Sequence, residues 1–239
     1  LVKVYDGFFV HSRFGEGGSL GDGSTPPNPA EIRDDTEVPV FVLLSETDVG
    51  FNLGVRQPDG ERYRVWEIAG TAHADQYILN LYSPPSPGDP PANPLGCTDP
   101  VNSANQHWVL KAALFHLNAW VRGGSPPPAS PRLTMSDADP QEFARDEDGN
   151  AVGGIRLPEL EVPVATLTGQ AGPGSPGFCT LLGSTVPFDA ARVAELYPDH
   201  DTYVSAYNEA VDRLYDAGFI LEPEAEEAKA AAAASDIGG

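Results

Sequence analysis

Two hydrophobic rhythms divide this chain. Val2–Val10 (VKVYDGFFV) is a β-rich run interrupted at Asp6-Gly7, and Phe14–Asp35 is a Gly/Pro/Asp/Ser-laden connection. Val38–Leu44 (VPVFVLL) is then continuously apolar and rich in β-branched residues. Such runs suit a strand covered on both faces, as in a parallel sheet. The run stops at Ser45-Glu46-Thr47-Asp48. The turn Gln57-Pro58-Asp59-Gly60 leads to a second strand, Tyr63–Ile68, which stops at Ala69-Gly70-Thr71-Ala72-His73.

The rhythm becomes helical from Asn105 to Val121. Val109, Leu110, Ala113, Leu114, Leu117, Trp120 and Val121 recur at three- and four-residue steps on one face, and Gly123-Gly124 followed by Ser125-Pro126-Pro127-Pro128 ends it. Asp146–Asn150 (DEDGN) predicts a hairpin turn between Phe143-Ala144-Arg145 and Ile155-Arg156-Leu157, and Val162–Leu167 predicts another strand. Asp189 predicts an N-cap for Ala190–Tyr197. Pro198-Asp199 breaks the chain before a helix over Thr202–Ala217, with Gly218 as its cap. The Ala/Glu-rich Glu222–Ser235 reads as a solvated or frayed helical tail, and no internal repeat is visible.

Composition narrows the function. The 239 residues carry 35 Asp+Glu against 14 Lys+Arg, a net charge of −21, so a nucleic-acid or anionic-membrane surface is not expected. Gly (25) and Pro (24) are abundant, yet 41% hydrophobic residues suffice for a core, and no apolar run approaches membrane-spanning length. The chain opens at Leu1-Val2-Lys3 without an initiator Met or a signal-peptide pattern, and reads as a piece of a longer polypeptide. Cys97 and Cys179 allow one internal disulfide or two free thiols, and neither has a zinc-spaced partner. No metal, no cofactor and no particular compartment are expected.

The chemistry concentrates at two strand ends. In a parallel sheet, residues just past the carboxyl ends of neighbouring strands face one crevice. Glu46 or Asp48 after one strand can therefore meet His73 after the next. A carboxylate on one ring nitrogen fixes the tautomer and leaves the other nitrogen to accept a proton. The competing structural reading has Glu46 and Asp48 capping a helix and His73 satisfying a backbone carbonyl.

Val38–Val49 (VPVFVLLSETDV) followed by Trp66–Asp75 (WEIAGTAHAD) resembles the acid and histidine segments of the α/β-hydrolase superfamily, and more narrowly a group of bacterial proteins described as α/β hydrolase domain-containing. Asn118–Gly124, Ser125–Leu133, Asp148–Leu157, Gly183–Phe188 and Leu196–Tyr203 extend the resemblance over almost the whole chain. It implies an α/β fold. Residues 1–239 would be the C-terminal portion of a single hydrolase domain, a mostly parallel sheet with flanking helices, a hairpin-containing insertion and C-terminal helices, with 222–239 as the tail. It also implies a Ser–acid–His triad in which His73 is the general base and Asp48 the acid, with Glu46 as the rival.

The family's nucleophile occupies a G-x-S-x-G turn between strand and helix. The one match, Gly17-Gly18-Ser19-Leu20-Gly21, has no strand leading directly into it and Pro26-Pro27 rather than a helix after it. The expected serine therefore lies upstream of Leu1, and Val2–Val10 is the strand after the nucleophile strand. The chain's partners would be a small-molecule ester and the N-terminal part of the same fold, as a cleaved chain or a missing segment. Alone, it would be inactive.

Other features are weaker. Asp146-x-Asp148-Gly149 fails the EF-hand pattern and reads as a solvated turn. His107 and His116 do not share an i, i+4 face and read as surface or rim residues. His11 and His200 have no evident partner in sequence, although His11 follows a strand end near the crevice. Trp66 and Tyr63 read as packing. The alternatives to a serine hydrolase are a non-catalytic homologue acting as a binding or scaffold protein, and an acidic interaction module using Pro84–Pro94 and Ser125–Pro131.

Overall fold

The computed structural model describes residues 4–18, 28–33, 35–86, 88–138 and 142–239. Its centre is a parallel sheet of β1 (Phe8–His11), β4 (Val40–Ser45) and β5 (Tyr63–Ile68), in the order β1-β4-β5. Phe8 pairs with Val40, and Val40 with Tyr63. The central β4 is buried at every residue, as its unbroken apolar run requires. The first strand is shorter than Val2–Val10: among the described residues it begins only at Phe8, and Val4 and Tyr5 are exposed. The turn at Asp6-Gly7 brings the backbone against the helix that packs on β4, where a Cβ on Gly7 would lie 2.6 Å from Val121 Cγ1. Between β1 and β4, β2 (Glu16–Gly17) and β3 (Asn28–Pro29) form a two-residue antiparallel pair.

Two short helices, α1 (Glu46–Asn52) and α2 (Gln76–Tyr82), follow β4 and β5. Helix α3 (Gln106–Val121) lies where the periodicity put it, but its buried face is shifted. Trp108, Val109, Ala112, Ala113 and Trp120 are buried, whereas Leu114 is exposed and Phe115 with it. Phe41, Trp66 and Phe219 meet edge to face, and Trp66 Nε1 donates to Pro128 O at 2.8 Å, so this fully buried indole is satisfied.

The hairpin turn at Asp146–Asn150 is present, with Gly149 at φ 80° and the Asp146 carboxylate accepting the backbone N–H groups of Asp148 and Asn150. Its returning arm differs from expectation: Arg145 bridges Ala151, while Ile155 makes a parallel bridge to Ile68 and extends the central sheet. A single helical turn, α4 (Pro158–Glu161), ends with Val162 as its C-cap, and the strand expected from Val162 starts later, as β6 (Ala165–Thr168), paired antiparallel with β7 (Ser184–Pro187).

Asp189 caps α5 (Ala190–Leu196) as expected, and Asp199 caps α6 (His200–Asp216), which starts two residues before Thr202. The tail is the helix α7 (Glu222–Ala233). It is not solvated all round, because Ala225, Ala228 and Ala232 are buried as it packs on α6, and Lys111 pairs with Glu224 at 2.9 Å. Cys97 and Cys179 form a disulfide, their Cα atoms 5.7 Å apart. No helix is long and apolar enough to cross a membrane among the described residues.

Candidate active site

The carboxyl ends of β4 and β5 deliver the two candidate groups to one rim. Ser45 closes β4 and caps α1 in a reciprocal arrangement. Its Oγ accepts the Asp48 N–H, while Asp48 Oδ2 accepts from the Ser45 N–H at 3.1 Å and the Ser45 hydroxyl at 2.7 Å. Capping the helix and presenting the Asp48 carboxylate are thus one device. The other oxygen, Asp48 Oδ1, meets His73 Nδ1 at 2.7 Å. Asp48 is fully buried and the His73 side chain is 28% exposed. Nε2 makes no hydrogen bond among the described residues, while Phe14 stacks on the ring with centroids 5.1 Å apart. An acceptor on Nδ1 fixes the proton there and leaves the Nε2 lone pair facing outward.

The loop that carries His73 is pinned on several sides. Gly70 adopts φ 66°, and a Cβ there would lie 2.5 Å from Leu160 Cδ2, so the position requires glycine. Asn102 Nδ2 donates to Gly70 O, and Gln106 Nε2 donates both to Ala72 O and to Asp75 Oδ2, each at 2.8 Å. Asp75 in turn caps α2 through the Ile78 N–H; burial raises its carboxyl above the usual range, and these bonds oppose the shift.

Glu46, the rival acid, points away from the imidazole. Its Oε1 accepts from Arg145 Nη2 at 2.7 Å, Thr168 Oγ1 at 2.9 Å and Gly169 N at 3.1 Å, and its Oε2 accepts the Gly70 N–H at 2.9 Å. A fully buried carboxylate with four donors ties together α1, the His73 loop, the hairpin and the end of β6. It satisfies its own charge and makes no contact with His73.

His11, at the end of β1, stands within electrostatic reach of the pair. Desolvation lowers its pKa below the ordinary imidazole value, Asp48 pulls the other way, and His73 adds to the lowering. The next residue, Ser12, is the one non-glycine residue with positive φ among those described, at 57°, and its Oγ is buried without a partner. The motif serine Ser19 lies outside the described residues.

The remaining histidines are structural. His107, expected at the surface, is buried and stacked on Tyr77 at 3.8 Å; burial drives its pKa down to about 4. His116 bonds Gly218 O and His200 bonds Ile237 O. Asp148 pairs with Arg192, and no group of side chains suited to a metal ion exists among the described residues. Sequence reasoning did not find Phe14, Gln106 or Asn102 at this site. Phe14 sits in irregular chain, and neither amide carries a spacing signal.

A search of curated proteins and a search of solved structures returned no match. The model of the family described as "Alpha/beta hydrolase domain" matches residues 2–230. With a parallel sheet whose strand ends present a buried carboxylate and an imidazole in contact, and with that match spanning nearly its whole length, this chain belongs to the α/β-hydrolase family.

Proposed function

We propose that the chain supplies the acid–base half of a serine hydrolase acting on carboxylic esters, with His73 as general base and Asp48 as the acid that orients it. The observation that carries the reading is the 2.7 Å contact between His73 Nδ1 and the fully buried Asp48 carboxylate, with Nε2 unbonded among the described residues. In the first half-reaction Nε2 takes the proton of a serine hydroxyl as its oxygen bonds to the ester carbonyl carbon. The imidazolium, held by ionised Asp48, then passes that proton to the departing alcohol oxygen as the C–O bond breaks. In the second half-reaction water takes the serine's part, its proton moving to Nε2 and then to serine, which leaves the carboxylic acid as product.

The serine in this reading comes from polypeptide that pairs with the free edge of β1. That edge carries no partner strand among the described residues, and Phe8, which begins β1, is exposed, as are Val4 and Tyr5 before it. An unpaired edge of this kind is a pairing surface. A specific observation favours a second reading: Ser12, at positive φ and with its Oγ buried without a partner, follows a strand that adjoins the acid's own.

Turnover of p-nitrophenyl butyrate and labelling by a fluorophosphonate probe test both. The chain alone is expected to show neither, and the polypeptide with its upstream strands to show both, each lost in His73→Ala. Activity of the chain alone that disappears in Ser12→Ala moves the nucleophile to Ser12, and in Ser19→Ala to Ser19. Absence of labelling in every form supports a non-catalytic binding protein.

A further inference from the structure

A cavity of about 520 Å³ opens beside the site, within the size range of small-molecule pockets. One wall is the outer face of α1, with Thr47, Gly50 and Phe51, and Phe143 of the hairpin faces it. The rest of the lining comes from the glycine-rich segment 169–175 and from Thr180. Glu46 is the one charged residue among the lining groups, and its carboxylate is already saturated by Arg145, Thr168 and two backbone N–H groups. An anion therefore finds no cation lining this space, and a chain of charge −21 repels it besides. What the walls offer is two aromatic rings, close-packed backbone and a few hydroxyls.

The cavity communicates with the imidazole through rings. Phe51, 53% exposed, packs on Phe14 with centroids 4.8 Å apart, and Phe14 stacks on His73 at 5.1 Å. Phe51 and His73 are thus separated by about 10 Å at most, ring to ring, the span of a small ester lying across Phe14.

The glycine wall is built rather than loose. A Cβ at Gly169 would lie 2.5 Å from Thr47 N. The Thr98 N–H donates to Ser175 Oγ, and the Cys97–Cys179 disulfide anchors the turn that carries Thr180. The Ala74 N–H donates to Leu181 O, which ties this wall to the His73 loop.

We propose that this cavity binds the uncharged aryl or branched-alkyl group of the ester whose carbonyl is presented to His73. The inference rests on the hydrolase reading, which it deepens by naming a substrate class, and a binding measurement that needs no catalysis tests it separately. Benzyl alcohol is titrated into the intact chain by NMR, with benzoate as its charged counterpart. The variant is Gly50→Leu: a Cβ there makes ordinary contact with the Phe143 ring at 3.8 Å, and Leu is the better helix former, so the helix is kept while the space is filled.

Benzyl alcohol is expected to shift the resonances of Phe51, Phe143 and Gly169 with millimolar affinity, benzoate to bind at least tenfold more weakly, and Gly50→Leu to weaken benzyl alcohol at least tenfold. Equal binding of benzoate, shifts confined to other regions, or unchanged affinity in Gly50→Leu would each overturn the proposal. In the serine-complete polypeptide, kcat/KM for p-nitrophenyl phenylacetate relative to the acetate is expected to fall at least tenfold on Gly50→Leu. A ratio that does not move, with hydrolysis still dependent on His73, sinks the cavity assignment and leaves the hydrolase reading standing. Hydrolysis indifferent to His73 sinks the hydrolase reading, while the benzyl alcohol titration still decides whether the cavity takes an uncharged ligand.

Discussion

Replacing Asp48 by Asn removes one charge and leaves almost every atom in place. Asn Oδ1 can keep the two bonds from Ser45, and Nδ2 then faces His73 Nδ1, where Asp48 Oδ1 stood at 2.7 Å. An N–H aimed at Nδ1 forces the ring proton to Nε2, the nitrogen that has to accept one. The lost attraction between carboxylate and imidazolium at this separation, with an effective dielectric constant near 20, is about 4–6 kcal/mol. If that attraction is felt only once the imidazolium forms, the rate falls by about 10³–10⁴-fold. The folded state should lose much less, on the order of 1–2 kcal/mol, because the cap on α1 survives. Nitrogen-15 chemical shifts of the His73 ring report the tautomer directly and need no nucleophile. The wild-type ring is expected with its proton on Nδ1 and the variant ring with its proton on Nε2. Hydrolysis by a polypeptide that carries the proposed upstream serine supplies the rate. An unchanged tautomer, or activity within tenfold of wild type in a folded variant, would refute the reasoning.

Other sites separate architecture from chemistry. Glu46→Ala leaves Arg145 with a half-buried, unpaired charge and three further donors without their acceptor, so urea unfolding should show a loss of up to about 3–5 kcal/mol. A loss below 1 kcal/mol would remove Glu46 from its bracing role. Converting Cys97 and Cys179 together to Ser opens a loop with a sequence separation of 82, for which chain entropy sets a ceiling of about 4.5 kcal/mol on lost stability. Benzyl alcohol binding should weaken with it, and an undisturbed cavity would show that the disulfide does not brace the wall. His107 has its pKa lowered from 6.5 to about 4 by burial, with Lys111 adding to the lowering and Glu224 opposing it. The unfolded chain therefore binds the extra proton first, and stability present above pH 6.5 is lost as pH falls toward 4, by up to about 3 kcal/mol. Subtracting the pH profile of His107→Phe isolates this contribution from Asp75 and Glu159, whose raised pKa values act with the opposite sign. A difference profile flat from pH 4 to 7 would contradict it.

The legible parts of the sequence were those whose burial leaves a local signature. Val40–Leu44 is apolar throughout because both faces of its strand are covered, and Tyr63–Ile68 ends where small residues make room for His73. The choice between Glu46 and Asp48 could not be read as strand-end chemistry, because it depends on α1. On a helix, residues two apart diverge by about 200°, so one carboxylate meets the imidazole while the other turns to Arg145. Helices α1 and α2 span seven residues each, too short for periodicity to declare them. The bridge from Ile155 to Ile68, the burial of His107 and the stacking of Phe14 are long-range contacts, set by packing rather than by neighbouring residues.

The most direct test is kcat/KM for p-nitrophenyl butyrate in a polypeptide that carries the proposed upstream serine, compared between wild type and His73→Gln with folding checked by circular dichroism. A drop of about 10⁶-fold with the fold intact is expected. A folded His73→Gln variant that turns over the ester at the wild-type rate would contradict it.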